Sequence, residues 1–296
     1  MKKLARWLLG VGVGLGVCPE AAAQTRPGEQ AQVYTVTNGG EGVHFEIPQV
    51  RLSNAAVARR INRQLLRLVT DYSSAVDSTA SPRRQLTQLA RECCYDEESR
   101  VWLAAGSGLT GMTYEVLLNQ NYLLSFQFQR SDQGLEQPGT SHLTFDLRTG
   151  RLLTLAELVA DSPAQLERRL GYAISRRLRD ELADVVATYG DSALITEVAQ
   201  LYGITEWNTT PQRGLHLDTS PGANAGAEEA KVYPTEFALR PDALLLFYSI
   251  GMARLKFEFL PDETYVFPFA RLRPRAILRP LLQARPVEKK AASKSK

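Results

Sequence analysis

Three histidines, a pair of adjacent cysteines and a set of dispersed carboxylates are the side chains here with chemistry beyond packing. His44, His142 and His216 are far apart and match none of the short ligand spacings of zinc sites. A metal-dependent deacetylase would need paired Asp residues and a His-x-x-x-His helix. Thr144-Phe145-Asp146-Leu147 supplies one Asp only. Around Gly106-Ser107-Gly108 the glycines sit one residue from the serine, whereas a nucleophile elbow places them two away. Walker A and dinucleotide glycine patterns are both missing. No cofactor or metal is expected from these spacings. Glycoside hydrolysis needs only two placed carboxylates. A hydrolase acting on envelope glycan through dispersed carboxylates or a histidine therefore stays open as the alternative. Asp146 reads more simply as a turn residue bonding the backbone ahead of Thr149-Gly150.

Cys93 and Cys94 are adjacent, and three fates are open: a vicinal disulfide, pairing with another chain, or two buried thiols. No Cys-x-x-Cys occurs, so thioredoxin-like exchange has no support. Asp96-Glu97-Glu98 lacks the glycine-bearing loop of a calcium site and reads as a solvated acidic turn. Trp207 and Tyr233 flank a segment rich in Thr, Pro, Gly and Ala and, with His142, form a candidate ligand surface. Arg59, Arg60, Arg63 and Arg67 crowd one stretch, but without the aromatic platform of a nucleic-acid surface.

These groups are carried by a chain of 296 residues with 35 basic and 32 acidic side chains. It is 44% apolar and 23% charged, the balance of an ordinary globular protein and not of a fibrous or disordered one. The N-terminus reads as a secretory signal over 1–23. Lys2, Lys3 and Arg6 precede a short apolar run, and Ala21-Ala22-Ala23 sets cleavage between Ala23 and Gln24. That apolar run is short of the roughly 20 residues of a spanning helix, so no membrane span is expected after cleavage. The expected location is periplasmic or secreted, which with the small net charge leaves no nucleic-acid partner in view. Residues 277–296 read as a basic flexible tail.

Between these ends, periodicity predicts the elements. Residues 32–50 read as a hairpin turning at Asn38-Gly39-Gly40. Ser53 is the expected cap of a helix reaching about residue 74, with Val57, Ile61, Leu65 and Val69 on one face. A short helix over 83–91 precedes the cysteines. Residues 113–118, 122–130, 140–147 and 151–153 follow as an antiparallel meander. Thr154–Glu157 and Ser162–Gln165 are capping boxes. After the second, Leu166, Leu170, Ile174, Leu178, Leu182 and Val186 recur every four residues as a core stripe. A helix over 192–202, the long segment 206–233 and a last block of strands complete the chain. Strands and helices in separate runs argue an α+β fold, with antiparallel sheet packed by helices. The folded region is expected over 24–276, in one body or as two subdomains, 24–100 and 101–276.

Five stretches, in order, resemble one known family. They are Ile61-Asn62; Tyr122-Leu123-Leu124-Ser125; Phe145-Asp146-Leu147-Arg148-Thr149-Gly150; Phe237-Ala238-Leu239-Arg240-Pro241-Asp242-Ala243-Leu244; and Val266-Phe267-Pro268-Phe269 with Leu272. Over roughly 32–276 the chain is similar to the RsiV-like extracytoplasmic domain. That domain forms the outer part of RsiV-type anti-sigma factors and the non-catalytic region of PdaC-type peptidoglycan deacetylases. The resemblance implies an α+β fold and a non-catalytic binding or accessory role in the cell envelope. The ligands it implies are peptidoglycan or a secreted, lysozyme-like protein. One departure concerns His142: relatives show Gly-Ala-His well before the Phe-Asp-Leu segment, whereas Gly139-Thr140-Ser141-His142 sits almost against it.

Overall fold

The structure is a computed structural model and describes residues 28–39, 43–71, 76–103, 108–133, 138–204, 236–250 and 259–283. The fold is α+β. Strands β1 (Gln32–Thr37) and β2 (His44–Arg51) form the expected hairpin. Asn38 ties its turn from both ends: its Nδ2 donates to the Val43 carbonyl and its Oδ1 accepts from Phe45 N–H. Helix α1 (Ala55–Thr70) starts one residue later than expected. Asn54 is its cap, accepting from Ala56 and Val57 N–H, because Ser53 is engaged by the Glu29 carboxylate through both its hydroxyl and its N–H. Helix α2 (Pro82–Cys94) runs into the two-residue strands β3 (Tyr95–Asp96) and β4 (Val101–Trp102).

The meander is β5 (Leu109–Gln120), β6 (Leu123–Asp132), β7 (Gly139–Asp146) and β8 (Arg151–Leu152), antiparallel throughout. Its first turn is Asn121-Tyr122, both at positive φ (53° and 65°), the conformation a two-residue hairpin loop demands. The β-rich run 122–130 places Tyr122 in a strand, whereas it is the second turn residue. Left-handed backbone is unusual for tyrosine. Three contacts hold it: Tyr122 N–H donates to Glu29 O, its carbonyl accepts from Leu147 N–H, and the Arg148 guanidinium lies 4.3 Å over its ring. Asp146 is the turn residue expected, accepting from Arg148 N–H and the Thr149 hydroxyl.

One pairing departs from antiparallel: β2 meets β5 in parallel through His44↔Gly111 and Phe45↔Met112. This joins the hairpin to the meander in one six-stranded sheet, ordered β1-β2-β5-β6-β7-β8. A parallel neighbour needs a long crossover, and α1, α2 and the β3–β4 pair supply it. Beyond the two parallel pairs, Asn62 of α1 completes the β2 edge. Its amide accepts from Val50 N–H and donates to Val50 O, as a strand neighbour would.

Helices α1 and α2 cover one face of this sheet around Phe45, Ile47, Ile61, Leu65, Leu86 and Phe126. A second core gathers on the other face. There a capped four-residue helix, α3 (Leu155–Leu158), leads to the long α4 (Pro163–Thr188) and to α5 (Ser192–Leu201). These enclose a three-stranded antiparallel sheet of β9 (Phe237–Leu239), β10 (Ala243–Phe247) and β11 (Thr264–Pro268), with β10 central. The α4 stripe is buried through Leu182, and the next buried residue is Val185, with Val186 only partly covered. Four-residue steps advance about 40° beyond a full turn each, so the contact line slips back by one residue at the end. The closing helix α6 (Arg279–Gln283) belongs to this core. Leu278 and Leu281 are buried, so the folded region reaches past 276 into the segment read as flexible tail. Among the described residues no helix is long and apolar enough to cross a membrane.

Candidate functional site

The two sheets meet where the β6–β7 face opposite α1 receives the edge of β9. Alternation along β6 and β7 places Ser125, Gln127, His142 and Thr144 on this face, paired Ser125↔Thr144 and Gln127↔His142. Ser125 is fully buried. Its Oγ lies 2.9 Å from the Thr144 hydroxyl and accepts from Leu239 N–H at 3.1 Å. A backbone donor on the outer edge of β9 is thus satisfied by a side chain of the other sheet.

One register step along, the sheets part and a cleft of about 350 Å³ opens. His142 stands at its inner wall, its side chain 1% exposed. Glu236, just before β9, places Oε1 2.9 Å from His142 Nδ1, and Gln127 places Oε1 3.2 Å from Nε2. Phe247 of β10 stacks on the imidazole, with ring centroids 3.6 Å apart and planes 11° from parallel. The ring is fixed on both edges and one face. The cleft rim adds Thr140 and residues 260–264, bringing Asp262 and Glu263 to the same opening. A smaller cavity of about 190 Å³ lies on the other side of His142 and Glu236, toward Leu152 and Leu153.

A second concavity, of about 590 Å³, runs between α4 and β11. Its floor is Ala173, Val266, Phe267 and Pro268; Arg168, Arg169, Arg176 and Arg271 ring it, with no acidic residue among the described lining residues. Arg169 is committed to the fold. It donates to Arg271 O and lies 3.1 Å from Asp161, whose side chain is fully buried.

Of the candidate site residues His44, His142, Cys93 and Cys94, which are described, His142 lines a concave site. His44 is on the surface, 2.8 Å from Glu46. His216, Trp207, Tyr233 and the cleavage pair Ala23–Gln24 lie outside the described residues. The sulfurs of Cys93 and Cys94 are bonded to each other at the end of α2, both residues buried. Asp96 closes its own turn, accepting from Glu98 N–H and the Ser99 hydroxyl. The latter bond is the main cause holding its carboxyl below the ordinary range. Glu97 bonds Arg91 at 2.9 Å. Among the described residues no three His, Cys, Asp or Glu side chains are grouped to hold a metal ion.

Gln127, Glu236 and Phe247 were not singled out in the sequence. Glu236 stands 94 residues from His142, and no local spacing announces the contact. The usable signal was the polar alternation Thr140, His142, Thr144 on β7, which fits a solvent-facing strand equally well.

No family model matches the chain, and no curated protein matches it. Among the solved structures similar in shape are two of one family. One is a DUF3298-family protein from Bacteroides fragilis, 12% identical, covering 86% of this chain and 96% of that one with a TM-score of 0.49. The other is a DUF3298-family protein from Pseudomonas aeruginosa PAO1, 10% identical, covering 84% and 94% with a TM-score of 0.39. At these identities and scores, neither assigns a role to any residue of this chain.

Proposed function

We propose that this protein is a non-catalytic binding module of the bacterial cell envelope, periplasmic or secreted, and that the cleft at His142 takes the glycan of peptidoglycan. The observation that carries this is the fixed imidazole. Glu236 and Gln127 hold both its nitrogens and Phe247 covers a face. Amide, carboxylate and hydroxyl groups beside an aromatic ring are what a sugar needs: hydrogen-bond partners for its hydroxyls and an apolar surface for its C–H face. The family resemblance supplies the envelope setting, and a lysozyme-like protein is the second ligand class it implies.

The hydrolase reading draws on one observation, the carboxylate 2.9 Å from His142. A general base must present a free nitrogen within hydrogen-bond reach of its substrate. Here Nε2 faces Gln127 and the side chain is 1% exposed, which favours a positioning role for the ring.

The test is a thermal-shift and pull-down series on the mature chain with peptidoglycan fragments and with lysozyme. A ligand held only by the folded state raises the melting temperature, by about 2.7 kcal/mol of stability at one hundred times Kd. Glycan fragments are expected to do so, and Glu236→Ala to weaken the effect at least tenfold while the unliganded melting temperature stays within a few degrees. No shift with any envelope glycan overturns the glycan reading. A shift with lysozyme alone moves the site to a protein ligand. Glycan cleavage abolished by His142→Ala would establish the hydrolase instead.

A further inference from the structure

We propose that the groove between α4 and β11 is a second site, which takes a short acidic peptide in extended conformation as an added strand on β11. The three-stranded sheet has two outer strands. The outer edge of β9 is closed, since Leu239 N–H donates to Ser125. The outer edge of β11 faces the groove. Antiparallel ladders alternate between residues turned toward the partner strand and residues turned away. Tyr248 N–H donates to Glu263 O and Phe269 N–H to Asp242 O, in the register Leu245↔Val266. By this parity Thr264, Val266 and Pro268 direct their backbone groups outward. Thr264 is already engaged, its N–H by Asp262 and its carbonyl by Arg177. Val266 N–H and C=O and the Pro268 carbonyl have no hydrogen-bond partner among the described residues. They are one donor and two acceptors spaced as a peptide strand would use them.

Charge selects the occupant. Arg168, Arg176 and Arg271 rim the groove, and among the described residues no carboxylate lines it. Arg176 has one weak tie, 3.7 Å to Asp180 with both side chains largely exposed. Among the described residues Arg168 reaches only the Ala164 carbonyl, at 3.3 Å. Val266 is 51% exposed and Tyr172, on the α4 wall, 72% exposed. Apolar floor, a strand edge unpaired among the described residues, and guanidinium rim together fit a peptide that alternates acidic and small apolar side chains. Backbone bonds give such a complex its affinity, and the alternate side chains its selectivity. The volume of about 590 Å³ falls within the usual range of ligand sites.

The experiment is a titration of the mature chain with an acetylated, amidated five-residue peptide alternating valine with aspartate and glutamate. Binding is expected. It should weaken at least tenfold when the acids are replaced by their amides, and at least tenfold in Arg176→Glu and in Arg271→Glu. Both arginines are exposed, and both variants are expected to keep the parent melting temperature. N-methylation of the peptide residue facing Val266 should abolish binding, while methylation of its neighbours should leave it within threefold. Glu236→Gln, in the other cleft, should leave it unchanged. No binding, equal binding of the amide peptide, or indifference to the position of N-methylation overturns the proposal. Association with vesicles of anionic lipid but not with the peptide also overturns it, in favour of a membrane surface.

Discussion

Replacing Ser125 by alanine tests whether the two sheets are locked by a single hydroxyl. The Ser125 Oγ is fully buried, accepts from Leu239 N–H and shares a hydrogen bond with Thr144. Truncation leaves the buried Leu239 N–H with no acceptor and the Thr144 hydroxyl without its partner. Each stranded group costs about 1–3 kcal/mol, while the lost volume is only one oxygen. The expected loss is therefore about 2–6 kcal/mol, a large part of the roughly 5–15 kcal/mol of a typical domain. Denaturant unfolding should show a lower midpoint at unchanged slope. Amide exchange adds the position: Leu239 N–H should lose protection by more than Leu244, its neighbour across the β9–β10 pair. Since Gln127 and His142 lie one step along the same strands, glycan affinity should fall as well. A loss under about 0.5 kcal/mol, with Leu239 protection intact, would show that the sheets are held by their apolar contacts and that the buried-donor argument fails here.

Further outcomes are expected at Gly150, Tyr202, Glu157 and the cysteine pair. Gly150→Ala should cost about 2–3 kcal/mol in denaturant unfolding, because φ is +69° and the new Cβ would stand 3.0 Å from Val57 O, at the start of α1. Tyr202→Phe should cost about 1–2 kcal/mol, since the phenol donates to Phe259 O at 2.6 Å. In the parent, burial pushes that phenol up to about 12, so ultraviolet titration should leave Tyr202 un-ionised through pH 10. The Glu157 carboxyl is held below its ordinary range, first by the Thr154 N–H and then by the Thr154 hydroxyl. Its contribution is then complete above the unfolded value near 4.5 and lost as pH falls through the lowered folded value. Glu157→Gln should accordingly lower stability at pH 7 and flatten the acid limb of stability against pH, while changing little below the lowered folded value. A thiol count on the unreduced, denatured protein should find neither Cys93 nor Cys94 free, as the vicinal pairing requires.

The helices were legible because their signals are local. Val57, Ile61, Leu65 and Val69 mark the buried face of α1, and the Ser162–Gln165 box starts α4 where the structure does. What was illegible is what arrives from elsewhere in the chain. Ser53 looked like a cap until Glu29 claimed it, shifting the role to Asn54. Tyr122 read as strand because nothing in its own neighbourhood shows the Glu29 carbonyl and Arg148 that hold it at positive φ. Nothing local to Thr140, His142 and Thr144 shows that β9 and β10 cover this face of β7 and turn His142 into a buried ring. The site was visible as one histidine and invisible as a cluster, since Gln127, Glu236 and Phe247 come from three other segments.

The parallel join between β2 and β5 also bears on how the chain reaches this state. Its two residue pairs link positions 44–45 to 111–112, whereas β5, β6 and β7 pair with their sequence neighbours. Non-local closure is slow and local hairpins are fast. The meander is therefore expected to form before the join, with the β1–β2 hairpin waiting. In that interval the inner edge of β2, beside the apolar side chains Phe45, Ile47 and Val50, is an open template for another chain. Asn62, whose amide meets the Val50 N–H and C=O as soon as α1 docks, acts on this view as a guard against misassembly during synthesis, before it serves as a fixture of the finished fold.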